Sequence, residues 1–128
     1  MIDRERGVQS TLMSELPLMQ SMGQIEDRLA SVAEQLPDAE CGTSRWGDMC
    51  IRHRSRTVAT LERHRHGLCL VVKAAKAELP ALLASDRYSV APYVGRYGWV
   101  CMRLSSRIDW REVEEMVAMS YELIGQRR

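Results

Sequence analysis

The apolar residues of this chain change their spacing twice, and those changes restrict the fold more than any other feature. Ile25, Leu29, Val32 and Leu36 recur at helical intervals, the stripe of an amphipathic helix. From residue 49 the interval falls to two. Met49 and Ile51 alternate with Cys50 and Arg52, and a turn at Arg54-Ser55 leads into Thr57-Val58-Ala59-Thr60-Leu61. Leu68-Cys69-Leu70-Val71-Val72 then follows His64-Arg65-His66-Gly67. Alternating, β-rich runs joined by short turns predict an antiparallel meander of three strands. Two more strands are expected at about 88–94 and 97–104, around the turn Gly95-Arg96. The helical interval returns in Trp110, Val113, Met116, Val117, Tyr121 and Ile124.

Local signals place the ends. Ser21 reads as an N-cap with Gln24 completing a capping box, and the first helix stops before Pro37. Asp109 reads as the cap of the last helix, with Glu112 at its capping-box position. A helix at 75–85 requires Pro80 to fall in its first turn. Residues 38–47 read as a polar loop closing on Trp46-Gly47. The order α-β-β-β-α-β-β-α, with one helical crossover, implies a two-layer α+β fold. Its sheet is mainly antiparallel and five-stranded, packed against helices. With 128 residues there is room for one core. Residues 1–20 have weak periodicity and read as a mobile or loosely helical extension, leaving a single domain at 21–128.

Several classes of function find no support. No apolar run approaches the roughly 20 residues that cross a bilayer, and the mixed-charge start Met1-Ile2-Asp3-Arg4-Glu5-Arg6 is no secretory leader. A cytoplasmic protein, monomeric or homodimeric, is the expectation. Cys41, Cys50, Cys69 and Cys101 form no CxxC pair, and in a reducing compartment they read as small buried or half-buried hydrophobes. There is no glycine-rich phosphate loop, no nucleophile elbow and no carboxylate–histidine pair of recognisable spacing. Glu112, Glu114 and Glu115 suit the first turn and solvent face of a helix, so a non-enzymatic protein is expected.

The net charge is +1, and Lys73 and Lys76 are the only lysines. The arginines, however, cluster. Arg52, Arg54 and Arg56 alternate along one strand and its turn, with Arg63, His64, Arg65 and His66 at the far end of the next. Such a ribbon suits contact with nucleic-acid phosphates, to which guanidinium groups give bidentate hydrogen bonds. The same charges would also protect an exposed strand edge. His53, His64 and His66 share this hairpin with Cys50 and Cys69, but no set of three or four ligands with convergent spacing is evident. Neither a metal nor another cofactor is therefore expected.

The strand pattern also assigns faces. Leu68, Leu70 and Val72 share one face, and Cys69, Val71 and Lys73 the other. Val100, Met102 and Leu104 oppose Trp99, Cys101 and Arg103. The second face is half apolar, which invites a cover: the N-terminal extension, a second subunit or a ligand. Trp46, Lys73, Tyr93, Trp99 and Arg103 are the candidates to line a groove for a small molecule or a protein.

Ala91-Pro92-Tyr93-Val94-Gly95-Arg96-Tyr97-Gly98-Trp99-Val100, with Ile108-Asp109-Trp110 and Ser120-Tyr121-Glu122-Leu123 after it, resembles the MmcQ/YjbR family. Leu36-Pro37, Trp46-Gly47, Ile51-Arg52, Arg56-Thr57-Val58-Ala59 and Lys73-Ala74-Ala75 extend the resemblance over about 22–125. It implies a two-layer fold similar to secretion chaperones and DNA binding through two protruding hairpins. Those wings would lie around 52–57 and 93–98 and bring Arg52, Arg54, Arg56 and Arg96 forward. Some relatives lie in antibiotic-biosynthesis clusters, which implies a small-molecule or resistance role as the alternative. This chain departs from the family pattern at Ile51 and Val58, where Phe is usual, at His53, and at Ser55, where a turn Gly or Asn is expected.

Overall fold

Ser21 is an N-cap. Its hydroxyl accepts from the Gln24 amide, and the Gln24 side chain accepts from the Ser21 amide, the reciprocal bonds of a capping box. The computed structural model describes residues 20–64, 67–105 and 107–126, so the expected extension at 1–20 lies almost wholly outside the described residues. Helix α1 runs Met22–Glu34 and buries Ile25, Leu29, Val32 and Ala33. Strands β1 (Ala39–Thr43), β2 (Met49–His53), β3 (Arg56–His64) and β4 (Gly67–Lys73) follow. After a 3-10 turn at Lys76–Glu78 come a short helix α2 (Leu79–Leu83), β5 (Tyr88–Val90), a 3-10 turn at Gly95–Tyr97, β6 (Trp99–Arg103) and helix α3 (Trp110–Gly125).

Among the described residues the sheet has six strands, all antiparallel, in the order β1-β2-β3-β4-β6-β5. The expected five strands lacked β1. Its sequence Ala-Glu-Cys-Gly-Thr has no buried residue, so this edge strand carries no apolar alternation to read. The strand expected at 88–94 ends at Val90, because Pro92 has no amide to donate to a ladder. The chain then crosses to β6 through Gly95–Tyr97 rather than through a tight turn. Pro80 does fall in the first turn of α2, where its missing amide costs nothing.

Helices α1 and α3 cover one face of the sheet. Leu61, Leu70, Val72, Val100 and Met102 from the strands meet Leu29, Val113 and Val117 from the helices, all with at most 2% of their surface exposed. Burying each such side chain contributes about 1.5–3 kcal/mol against exposure. Three polar contacts fix α3 on this core. Ser120 is fully buried and bonds to β3 and β4 backbone. Tyr121 donates its hydroxyl to the Pro37 carbonyl at 2.6 Å. Arg56 donates to the Ile124 carbonyl at 2.8 Å, in the last turn where cations suit the helix dipole. Glu112 does not close a capping box. Its carboxylate turns to the Tyr88 hydroxyl and the Arg87 guanidinium instead, while Asp109 alone caps Arg111 and Glu112.

Candidate functional site

The face of the sheet away from the helices carries its own small apolar cluster: Cys69, Val71, Ala91 and Cys101, with Trp99 packed against it. The register explains the grouping. Val71 pairs with Cys101 and Cys69 with Arg103 across β4 and β6, and Glu62 pairs with Cys69 across β3 and β4. Alternation then puts Glu62, His64, Cys69, Cys101 and Arg103 on one face at one end of the sheet. Together with Ser89, Val90, Pro92, Asp86 and Arg87 from the β5 flank, His64, Cys69, Cys101 and Arg103 line an open cavity of about 350 Å³.

The chemistry of this cavity is concentrated. A ring nitrogen of His64 and the sulfurs of Cys69 and Cys101 all lie within 4.8 Å of one another. Cys69 and Cys101 keep only 8% and 4% of their surface exposed. Their thiols are hydrogen-bonded to each other, and that bond brings Cys69 down to about 7 from the ordinary 9.0, aided by the positive fields of His64 and Arg103 and opposed by burial. The same bond, and then burial, pushes Cys101 up. The pair therefore reads as one thiolate at Cys69 held by one thiol at Cys101. Nε2 of His64 is buried without a hydrogen bond, although Glu62 Oε1 approaches it at 3.0 Å.

Sequence reasoning missed this cluster. His64, Cys69 and Cys101 come from three strands, and only the pairing of β4 with the distant β6 joins them. The signal available was their shared face, which was legible, without the strand order, which was not.

The arginines of the first hairpin are held by the protein itself. Arg52 extends across Gly42 and donates to the Thr43 carbonyl at 3.1 Å. Arg54 pairs with Asp38 at 3.3 Å, both side chains largely exposed, and Arg56 bonds to α3 as described. Arg63 turns toward a second cavity, lined by Met22, Ile25, Leu104 and Ile108 on the helix side. Arg65 and His66 lie outside the described residues. His53 packs its ring edge-on to Tyr121, centroids 4.7 Å apart, which accounts for an imidazole at an apolar strand position.

Two ends of the sheet separate the remaining candidates. Trp46, Arg63 and Arg103 stand at the end bearing the thiol cavity. The Arg54-Ser55 turn, Lys73, Tyr93 and Arg96 stand at the other. There the β2–β3 turn and the β5–β6 connection are about three strand spacings apart, roughly 14 Å. Arg96 lies over the Tyr97 ring at 4.9 Å. Tyr93 is 97% exposed with φ 67, a left-handed conformation that an aromatic residue adopts only at a cost. Trp46 is 79% exposed beneath Arg45. Trp99 is half-buried and Lys73 partly covered.

Comparison with known proteins gives a family and a fold. Residues 34–123 match the YjbR family model. The crystal structure of Deinococcus radiodurans protein DR2400, which carries the domain DUF419, superposes with a TM-score of 0.69 at 19% identity, covering 86% of this chain and 82% of that one. No curated protein matches the sequence. Among the described residues no helix is long and apolar enough to cross a membrane.

Proposed function

The chain belongs to the YjbR family, and on that premise we propose that it is a non-enzymatic binding domain that takes a small polar molecule on the second face of its sheet. One observation carries this reading: a cavity of about 350 Å³ gathers buried thiols, a buried histidine nitrogen and exposed guanidinium groups on a half-apolar face. That volume and that mix of an apolar wall with a few convergent polar groups are the attributes of ligand sites. Trp99, packed against the cluster, supplies a reporter. A thermal-shift survey of amino acids, nucleotides and sugar phosphates tests it, run beside Arg103→Ala. The expected result is a concentration-dependent rise in Tm that Arg103→Ala weakens. No rise with any compound, and no change in Trp emission, would remove the reading.

A second reading is DNA binding through the two connections at the opposite end of the sheet. It is favoured by their common direction, the roughly 14 Å between them, and the arginines each presents, Arg54 and Arg96. Anisotropy of a labelled duplex at two salt concentrations, with Arg54→Ala and Arg96→Ala, tests it. Affinity that falls with salt and with both substitutions supports it. Absence of binding at low salt counts against it.

A further inference from the structure

We propose that His64, Cys69 and Cys101 form a binding site for a single soft divalent metal ion of the zinc class. The inference rests on the second face being the binding face and gives that face a chemical identity. One imidazole and two thiols are the donor set that zinc selects, and three protein donors leave a fourth position open. The three donor atoms lie within 4.8 Å of one another. A tetrahedral ion with bonds of about 2.0–2.3 Å needs donor separations of roughly 3.3–3.8 Å, so closure asks for about 1 Å of movement from side chains alone. The open position faces the cavity, where a water or a small polar ligand would complete the shell.

The register argues against the obvious alternative, a disulfide. Cys69 pairs with Arg103 and Cys101 with Val71, which makes the two cysteines diagonal neighbours. Diagonal positions stand about 7–8 Å apart at Cα, beyond the roughly 4.4–6.8 Å that a disulfide spans. The sulfurs are close enough to share an ion, and both cysteines are free thiols. Nε2 of His64 is buried, with Glu62 Oε1 at 3.0 Å. Binding releases the proton that Cys101 holds, so two thiolates balance the divalent charge, and Glu62, 3.0 Å from Nε2 of His64, would hold that nitrogen while the other ring nitrogen serves as the donor. Arg103 opposes the ion, and its exposed side chain can turn outward.

Cobalt titration of the full-length reduced chain tests this. One Co²⁺ per chain should give visible ligand-field bands of tetrahedral intensity and a thiolate-to-cobalt band in the near ultraviolet, both erased by Zn²⁺. Cys69→Ser and His64→Gln should lose or weaken them, and Cys41→Ser and Cys50→Ser should not. No near-ultraviolet band, or one unchanged in Cys69→Ser, overturns the site. Should Cys69→Ser fail to fold by far-ultraviolet circular dichroism, alkylation mapping of the wild type decides: Zn²⁺ must shield Cys69 and leave Cys41 reactive, and equal labelling of Cys69 with and without zinc overturns it. A ligand-induced Tm rise that survives EDTA, with no cobalt bands, removes the metal and leaves the binding face. Cobalt bands with no response to any small molecule leave the metal and remove the ligand.

Discussion

Ser120 donates its hydroxyl to the carbonyl oxygen of Val58 at 2.6 Å. The Ser120 hydroxyl oxygen in turn accepts from the Lys73 amide at 3.0 Å, so a helix side chain stands as a rung between β3 and β4. Ser120→Ala leaves a buried carbonyl and a buried amide to find each other or stay unpaired. A loss of about 1–3 kcal/mol is expected, measured as a lower urea midpoint with unchanged m-value. A loss below about 0.3 kcal/mol would mean that the strands close directly and the rung is dispensable.

Arg54 and Arg56 alternate in sequence yet should behave differently. Arg56 holds the last turn of α3 through the Ile124 carbonyl, so Arg56→Gln is expected to cost about 0.5–1.5 kcal/mol, with Arg56→Lys recovering part of it. Arg54 meets Asp38 in solvent, and Arg54→Ala should move stability by less than about 0.5 kcal/mol. Equal effects in thermal denaturation would contradict the assignment. Effects of Arg56 variants on any DNA binding therefore carry a stability component that Arg96 variants lack.

The turn itself stores strain. Arg54 and Ser55 both have positive φ, 51 and 74, the conformation that tight hairpin turns demand and that Asn-Gly satisfies best. For Ser55→Gly, the left-handed penalty of about 1–2 kcal/mol removed exceeds the extra backbone entropy of about 0.5–1 kcal/mol. A net gain of about 0.5–1 kcal/mol should appear as a Tm higher by a few degrees. A lower Tm would show that the serine hydroxyl matters more than the backbone.

Much of this architecture was written in local pattern, and what escaped has common causes. The Ser21–Gln24 box, the Asp109 cap, the turn at Arg54-Ser55 and the division of β4 and β6 into two faces could each be read from a few neighbouring residues. Strand β1 could not, because Ala39–Thr43 has no fully buried residue and so no apolar alternation to read. Glu112 was legible as a first-turn acid but not as the partner of Tyr88 and Arg87, which reach it from another element. The thiol cluster failed to show for the same reason: its members meet only once β6 is laid against β4. Spacing along the chain reveals what a segment does with itself, and the site is made by segments that are strangers in sequence.

The chemistry of the cysteine pair should follow pH. With the Cys69 thiol brought down to about 7, the group is protonated below that value and a thiolate above it. Its alkylation by iodoacetamide, followed by peptide mass spectrometry, is expected to rise through pH 7 and level off by about pH 8, whereas an ordinary cysteine climbs on past pH 8.5. Cys101, held as the thiol, should stay slow throughout. Cys101→Ser or Cys101→Ala removes the hydrogen bond that lowers Cys69 and should shift the Cys69 profile upward, the more so for alanine. A Cys69 profile centred above pH 8.5 in the wild type would show that the thiol pair does not share a proton in this way.

The strand order has a kinetic consequence. β1 to β4 are a continuous meander over residues 39–73, with short loops that close cheaply and early. β6 pairs with that meander across a longer connection through α2 and β5, and α3 comes from further along the chain to seat Ser120. The cavity straddles the seam, with Cys69 on the local hairpin and Cys101 on the strand beyond that connection. Sub-global opening along β4–β6 would therefore abolish it while the meander persists, and a bound occupant would act as a clasp between two cooperative units, slowing amide exchange in β6 more than in β2.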